Sequence, residues 1–327
     1  MKYLTWVRIG MFLVAALMTG AAAAQLDARS YPTKPIRVIV GMAAGGGADM
    51  LARIVGQKLS EALGQPVIVE NRVGAASMIA AELVAKARPD GYTLLYCPSS
   101  VMTVNPILYK NVAYSPTRDF VPISTSTTYS LFMIVNAGEQ IHTVKGLVEY
   151  LKANPQKANY GGASGLFQLA LELFKLRTNT QVEFVPYKGA VDAAQAVLTG
   201  NVLMAIVDAG SASVVLKSGR VRFLAATSPT RVPSYPEVPT MAEAGYPELE
   251  ILGWQAFLAP AGTPVSIVRI LQEEINRILK LPDVTARLLA LSISPTGSTS
   301  EELARKISLD LERWSAVAKS SNIRLSE

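Results

Sequence analysis

IRVIV at 36–40, GGG at 45–47 and DMLARIVGQKLSEAL at 49–63 decide how the chain reads. The first is an apolar, β-branched run of strand length. The last sets Leu51, Ile54, Val55, Leu59 and Leu63 on one helical stripe. Strand, glycine turn and helix in that order make the unit of a parallel α/β sheet, whose strands are buried on both faces and lose polar alternation. The unit recurs. VIVE at 67–70 is followed by Gly74 and a helical pattern that groups Ile79, Leu83 and Val84, and YTLLY at 92–96 is the next strand.

Pro98, Pro106, Pro116 and Pro122 then break the rhythm, so 98–122 reads as a connection with short helical turns. LFMIVN at 131–136 is a strand. Thr143 caps the helix that stops at Asn154-Pro155. A second series follows: a short strand at 159–160, the turn GGASG at 161–165, a helix from Leu166, VEFVPY at 182–187, a helix closed by Gly200, VLMAIVD at 202–208, a short helix over 213–218 and RFLAAT at 222–227. Residues 228–264 are turn-rich apart from WQAFLAP at 254–260. Ile267, Ile270, Leu271 and Ile275 form one helical stripe, Leu288, Leu289 and Leu291 close a second helix, and Leu303, Ile307, Leu311 and Trp314 form another stripe, begun by Thr299 or Ser300. The pattern predicts two α/β units, with the C-terminal helices returning to cover the first.

Composition supports a folded chain. Of 327 residues, 50% are hydrophobic and 17% charged, enough to fill a core and inconsistent with wholesale disorder. Cys97 and His142 are the only residues of their kinds, which excludes an internal disulfide, a classical zinc finger and a cysteine-rich iron–sulfur site. Residues 1–24 read as a secretory signal peptide: Lys2 and Arg8, an uncharged apolar run, then Ala22-Ala23-Ala24 before Gln25. The net charge of +6 is dispersed, without an Arg-rich arm or aromatic platform, so nucleic acid is not an expected partner.

The chemistry-bearing pattern is a small-residue turn before a helix, at 45–49, 74–78, 161–165 and 188–190. Helix starts expose N–H groups that bind carboxylates, and glycine lets backbone approach a ligand. Gly45-Gly46-Gly47 has neither the dinucleotide register nor a phosphate-loop ending. Asp49 reads as a cap of backbone N–H groups or a ligand contact, and Ser164 as a ligand donor or a helix cap. Tyr187 and Lys188 could grip an acidic ligand or form a domain edge. Asp208, at a strand end, could meet a ligand amine or hydroxyl or hold a hinge. No catalytic triad or G-x-S-x-G elbow is present. Cys97 reads as a small buried filler, and His142 as a surface residue.

Several longer motifs resemble one family. Tyr31-Pro32-Thr33-Lys34-Pro35-Ile36-Arg37, GGGADMLAR at 45–53, GQPVIVENRVGA at 64–75, PDGYTLL at 89–95, VNPILY at 104–109, VPYKGA at 185–190 and PEVPTMAEAGYP at 236–247 stand in the order found in periplasmic solute-binding receptors of tripartite tricarboxylate transporters, the Bordetella uptake proteins. The resemblance spans the mature chain. It implies a two-lobed type II periplasmic binding protein of the α/β class, with a ligand cleft between the lobes. Lobe 1 would comprise 25–128 and 229–327, and lobe 2 would comprise 129–228. It further implies a non-catalytic, monomeric periplasmic receptor without cofactor or metal, which delivers a small organic carboxylate to membrane permease subunits.

Carried onto this chain, the ligand-binding positions are Ala44, Gly46, Gly47, Ala48 and Asp49, then Ala76, Ser77 and Met78, then Ser164, Gly165, Phe167 and Gln168, with Tyr187, Lys188 and Asp208 bordering the cleft. Four departures bear on the ligand. Ala48 stands where Thr or Ser is usual, Met78 where Asn is common, Gln168 at the usual His, and Asp208-Ala209-Gly210-Ser211-Ala212 replaces Asp-Asn-x-Pro-Ser. A monocarboxylate or aromatic carboxylate contacting Met78 and Phe167 is expected, with hydroxy acids and amino acids open. The rival readings are a ligand-binding accessory of a sensor kinase and an exported hydrolase.

Overall fold

The computed structural model describes residues 30–162, 165–290 and 293–323. The leader, Ser164 and Leu291 lie outside them. In chain order the elements begin β1 (Ile36–Val40), α1 (Gly47–Leu63), β2 (Val67–Asn71), α2 (Met78–Ala85), β3 (Thr93–Pro98), α3 (Ser99–Thr103), α4 (Asn105–Leu108) and β4 (Phe120–Asn136). Next come α5 (Val144–Ala153), β5 (Asn159–Gly162), α6 (Leu166–Thr178), β6 (Glu183–Pro186), α7 (Ala190–Thr199), β7 (Met204–Asp208), α8 (Ala209–Leu216) and β8 (Val221–Ala226). The chain closes with β9 (Leu252–Pro260), α9 (Val265–Leu279), α10 (Pro282–Ala290), β10 (Ser294–Pro295) and α11 (Ser300–Ser320).

The strands run in the order β2-β1-β3-β9-β4-β7-β5-β6, with β8 and β10 also paired to β4. Parallel β2-β1-β3 forms one half and parallel β7-β5-β6 the other. Antiparallel β9 and β4 join them. β4 spans both halves: Phe120 to Ser130 pair with β9, and from Leu131 onward the strand pairs with β7. This is an α/β fold of the type II periplasmic binding protein architecture.

Pleat alternation divides each strand between two cores. In β1, Ile36, Val38 and Val40 join the core containing Leu51, Val55 and Leu59, whereas Ile39 joins one with Ala80, Val84 and Cys97. In β4, Leu131, Met133 and Val135 face the α6 side, and Phe132 and Ile134 face α7. Sheets covered on both faces require the continuous apolar runs seen in the sequence.

Several expectations change. β4 begins eleven residues earlier than the apolar run LFMIVN. Its first part, FVPISTSTTYS, carries buried hydroxyls that find partners in the C-terminal segment: Ser124 Oγ donates to Asn276 Oδ1 (2.7 Å), and Thr127 Oγ1 to the Ser294 carbonyl (2.7 Å). Those partners are distant in sequence, so the stretch resembles a loop when read alone. On α2 the buried face is Ala80, Ala81 and Val84, while Ile79 is exposed. The short helix expected over 213–218 starts at Ala209, directly after β7.

The C-terminal helices divide their packing. α9 buries Ile267, Leu271 and Ile275 on the first half. α11 begins at a capping box, with Thr299 Oγ1 accepting from the Glu302 N–H and Glu302 returning to the Thr299 N–H. It seats Leu303 and Ile307 on the first half but Trp314, Val317 and Ala318 in the α6 core of the second. Residues 229–251, expected to return to the first unit, also pack on the second, through Val238, Met241, Leu249 and Ile251. The chain crosses back only at β9.

Candidate functional site

In a parallel α/β sheet the helix that follows each strand starts at the strand's C-terminal end, so successive helix N-termini gather at one sheet edge. Here α1 follows β1, α6 follows β5 and α8 follows β7, and their starts meet in a cleft of about 610 Å³ between the two halves. Met42, Ala43, Gly46, Gly47, Ala48, Met50, Pro98 and Ser100 form its first-half wall. Leu166, Phe167, Asp208, Ala209 and Gly210 form the opposite wall, and Thr127, Tyr129 and Gln255 from β4 and β9 line it together with Ile293.

The N-caps of α1 and α6, Gly46 and Gly165, make no side-chain capping bond. A helix start without a side-chain cap offers its first-turn N–H groups to an anion. Gly165 has φ 83° and ψ −134°, a conformation that strains any side-chain-bearing residue. A Cβ placed on it would lie 3.7 Å from Ser100 Cβ, so the two halves come close at this point. α8 is capped instead by Asp208, whose Oδ1 accepts from the Ser211 N–H (3.0 Å) and Oδ2 from the Ser211 hydroxyl (2.7 Å).

Gly46, Gly47, Ala48, Phe167 and Asp208 of the sequence-derived set line the cleft. Ala44 adjoins the lining residue Ala43 and is exposed. Asp49 is 2% exposed and lies behind the turn, bonded to Gly45, Arg53 and Asn71. Ala76 accepts from Asn105 Nδ2 (2.9 Å), and buried Ser77 donates to the Gly41 carbonyl (3.0 Å). Met78 packs on the core that contains Cys97 and does not line the cleft, so the expected Met78 contact is not part of its wall. Gln168 is 5% exposed, and its Oε1 has no hydrogen-bond partner among the described residues. Tyr187 packs on the α7 core, and Lys188 is exposed.

Sequence reading missed Met42, Met50, Ser100, Thr127, Tyr129, Gln255 and Ile293. The last four reach the cleft through the crossing strands or the segment before β10, which no local motif announces. Tyr96 Oη donates to Gln255 Oε1 (2.6 Å), orienting that carboxamide with its NH2 end as the donor. Burial, reinforced by the Asp208 carboxylate, raises the Tyr129 phenol above its ordinary range and keeps it neutral. Among the described residues no Lys, Arg or His lines the cleft. Among the described residues no group of three His, Cys, Asp or Glu could hold a metal. Cys97 is fully buried, and burial raises its thiol pKa.

A larger hollow of about 720 Å³ lies on the second half, beside His142, Lys145 and Arg222. It lies within that half, and the helix start on its wall, that of α5, is already capped by the Thr143 side chain. The interhalf cleft is the better candidate on geometric grounds.

Comparison with known proteins agrees with this fold. Residues 51–323 match the family described as the tripartite tricarboxylate transporter family receptor. The chain is 38% identical over 307 residues to a protein from the tcbD-tcbE intergenic region of Pseudomonas sp. strain P51, covering 92% of this chain and 90% of that one. It is 33% identical to protein BugT of Bordetella pertussis, with 97% of each chain covered. A solved periplasmic transporter superposes with a TM-score of 0.77 at 38% identity, over 90% of this chain and 100% of that one. An R. palustris protein solved with adipate also gives 0.77, at 32% identity over 90% of this chain and 99% of its own.

Proposed function

The chain belongs to the tripartite tricarboxylate transporter receptor family and is a periplasmic solute-binding receptor, and we propose that its ligand is a small monocarboxylate with an apolar or aromatic body. The observation that carries this reading is the composition of the cleft. Uncapped helix starts at Gly46 and Gly165 offer N–H groups to one carboxylate, while Met42, Met50, Leu166, Phe167 and Ile293 offer apolar surface to the rest. Among the described residues no lining cation offsets the desolvation of a second carboxylate.

The action is capture and delivery rather than turnover. The ligand enters between the lobes, its carboxylate pairs with turn amides, and closure removes water and strengthens those bonds. The closed form then docks on the permease subunits of a tripartite transporter. The change of β4 partner from β9 to β7 supports dividing the lobes at that crossing and where β9 re-enters the first half.

The test is a thermal-shift screen of refolded protein beginning at Gln25 against aliphatic, aromatic, hydroxy and amino acids, with calorimetry of the hits. A saturable shift with aromatic or apolar monocarboxylates, without turnover, is expected. Tighter binding of di- or tricarboxylates would overturn the ligand class. Hydrolysis of a carboxylate ester, abolished by Asp208→Asn, would replace the receptor reading with an enzymatic one.

A further inference from the structure

The motifs GGGADMLAR and VENRVG are far apart in sequence but meet in the fold, on the side of the 42–47 turn opposite the cleft. Asn71, at the end of β2, donates through Nδ2 to the Met42 carbonyl (2.9 Å) and to Asp49 Oδ1 (2.8 Å). The other carboxylate oxygen, Asp49 Oδ2, accepts from the Gly45 N–H (2.9 Å) and from Arg53 Nε (2.9 Å). Arg53 Nη2 closes the circuit on Asn71 Oδ1 (2.9 Å). The turn is thereby held at both ends, at the Met42 carbonyl and at the Gly45 amide. Its opposite side, at Met42, Ala43, Gly46 and Gly47, is cleft wall.

Asp49 occupies the third position of α1 and reaches back past the N-cap Gly46 to Gly45. A capping-box acid would bond the N-cap amide itself. Reaching one residue further leaves the Gly46 amide free of that bond. Gly45, at φ 82°, has no Cβ to restrict the turn, so without the brace the run of glycines would sample many conformations.

We propose that Asp49, Asn71 and Arg53 are positioning residues for ligand capture: they touch no ligand, but hold the 42–47 turn in its binding shape, so that its ordering cost is met in folding rather than on binding. This rests on the carboxylate-receptor reading of the cleft and explains why Asp49, a candidate contact, lies behind the wall. A preorganised loop binds more tightly because less conformational entropy is lost on association.

The experiment uses the mature protein with Asn71→Ala, the half-exposed Arg53→Ala as a second variant, and the Asp49→Ala/Asn71→Ala double variant. Amide exchange at Gly45 to Gly47 is followed without ligand. Calorimetry at a temperature where every variant is folded uses benzoate, adipate, malate and glutamate as probes. Asn71→Ala is expected to speed exchange at Gly45, whose own bond to Asp49 is not deleted, and to weaken the best probe at least tenfold through a less favourable entropy. Arg53→Ala is expected to produce a smaller loss in the same direction. In the Asp49→Ala background, Asn71→Ala should add little, as for residues acting as one unit. A residue that only stabilised the fold would lower the melting temperature and leave affinity unchanged. Unchanged Gly45 exchange, or affinity within twofold of wild type, overturns the brace alone. Wild-type protein that binds none of the four probes overturns the carboxylate reading, and the brace's role in capture with it.

Discussion

The ring of Tyr129 lies against Gly253, its cross-strand partner on β9, so closely that a Cβ on Gly253 would overlap Tyr129 Cζ and Cε2. The contact sits where β4 leaves β9 for β7, since Ser130 still pairs with Leu252 while Leu131 pairs with Asp208. Tyr129 is also cleft wall. The absence of a side chain at one residue thus places an aromatic ring at the crossing between the halves.

Gly253→Ala should therefore displace that ring. A destabilisation of ~1–3 kcal/mol is expected from overpacking, read from urea unfolding. Ligand affinity should fall as well. Full affinity in the variant would remove Tyr129 from the working wall.

Phe167 lines the cleft from the first turn of α6. Phe167→Ala should weaken benzoate by about tenfold, ~1.4 kcal/mol, and acetate much less. Calorimetry with both acids checks this. Equal losses would indicate that Phe167 supports the turn rather than the ligand body.

Trp254 is fully buried on β9, and its indole Nε1 donates to Asp310 Oδ2 on α11 at 2.7 Å. Asp310→Ala leaves that donor without its acceptor, at a cost of about 1–3 kcal/mol. Denaturant unfolding followed by tryptophan fluorescence reads the loss. A stability unchanged from wild type would show that water replaces the carboxylate.

Acid should weaken the first half at low pH. Paired hydrogen bonds from Arg37 (2.6 and 2.9 Å), opposed by partial burial and helped by Arg72, bring the Glu70 carboxyl from 4.5 down to about 2. For Asp49, burial acts upward, but the bonds from Arg53, Gly45 and Asn71 outweigh it and the pKa is lowered. Both native pKa values lie below their unfolded ones, so protonation favours the unfolded chain. The stabilisation is complete above the ordinary carboxylate range and is lost as pH falls toward about 2. Since Arg37 is 42% exposed, the Glu70 contribution is modest and screened by salt. Melting temperatures from pH 5 to 2 should fall less steeply for Arg37→Ala than for wild type. Parallel curves would assign the acid sensitivity to other groups.

Much of the fold was legible because its determinants are local. β1 and α1 follow from an apolar run, three glycines and a helical stripe, and Thr143 caps α5 as its position suggested, accepting from the Gly146 N–H at 3.0 Å. The first half of β4 was not legible, because its buried serines and threonines are satisfied by Asn276, Ser294 and Ser298. Of the candidate site, the glycine turns and Phe167 could be read from motifs. Tyr129, Gln255 and Ile293 could not, since the first two enter the cleft on the crossing strands and the third from the segment before β10.

The sequence by itself determined the element pattern, the family and the kind of site, because strand length, helical period and small-residue turns are properties of neighbouring residues. Tertiary structure alone decided which side of each turn faces the cleft. It set Asp49 behind the wall and Met78 against a core, brought Tyr129 forward over Gly253, and joined the second half to α11 through Trp314. These outcomes depend on the crossing of β4 and β9 and on hydrogen bonds between residues far apart in the chain. Such contacts form only when distant segments pack, so no local window of sequence contains them.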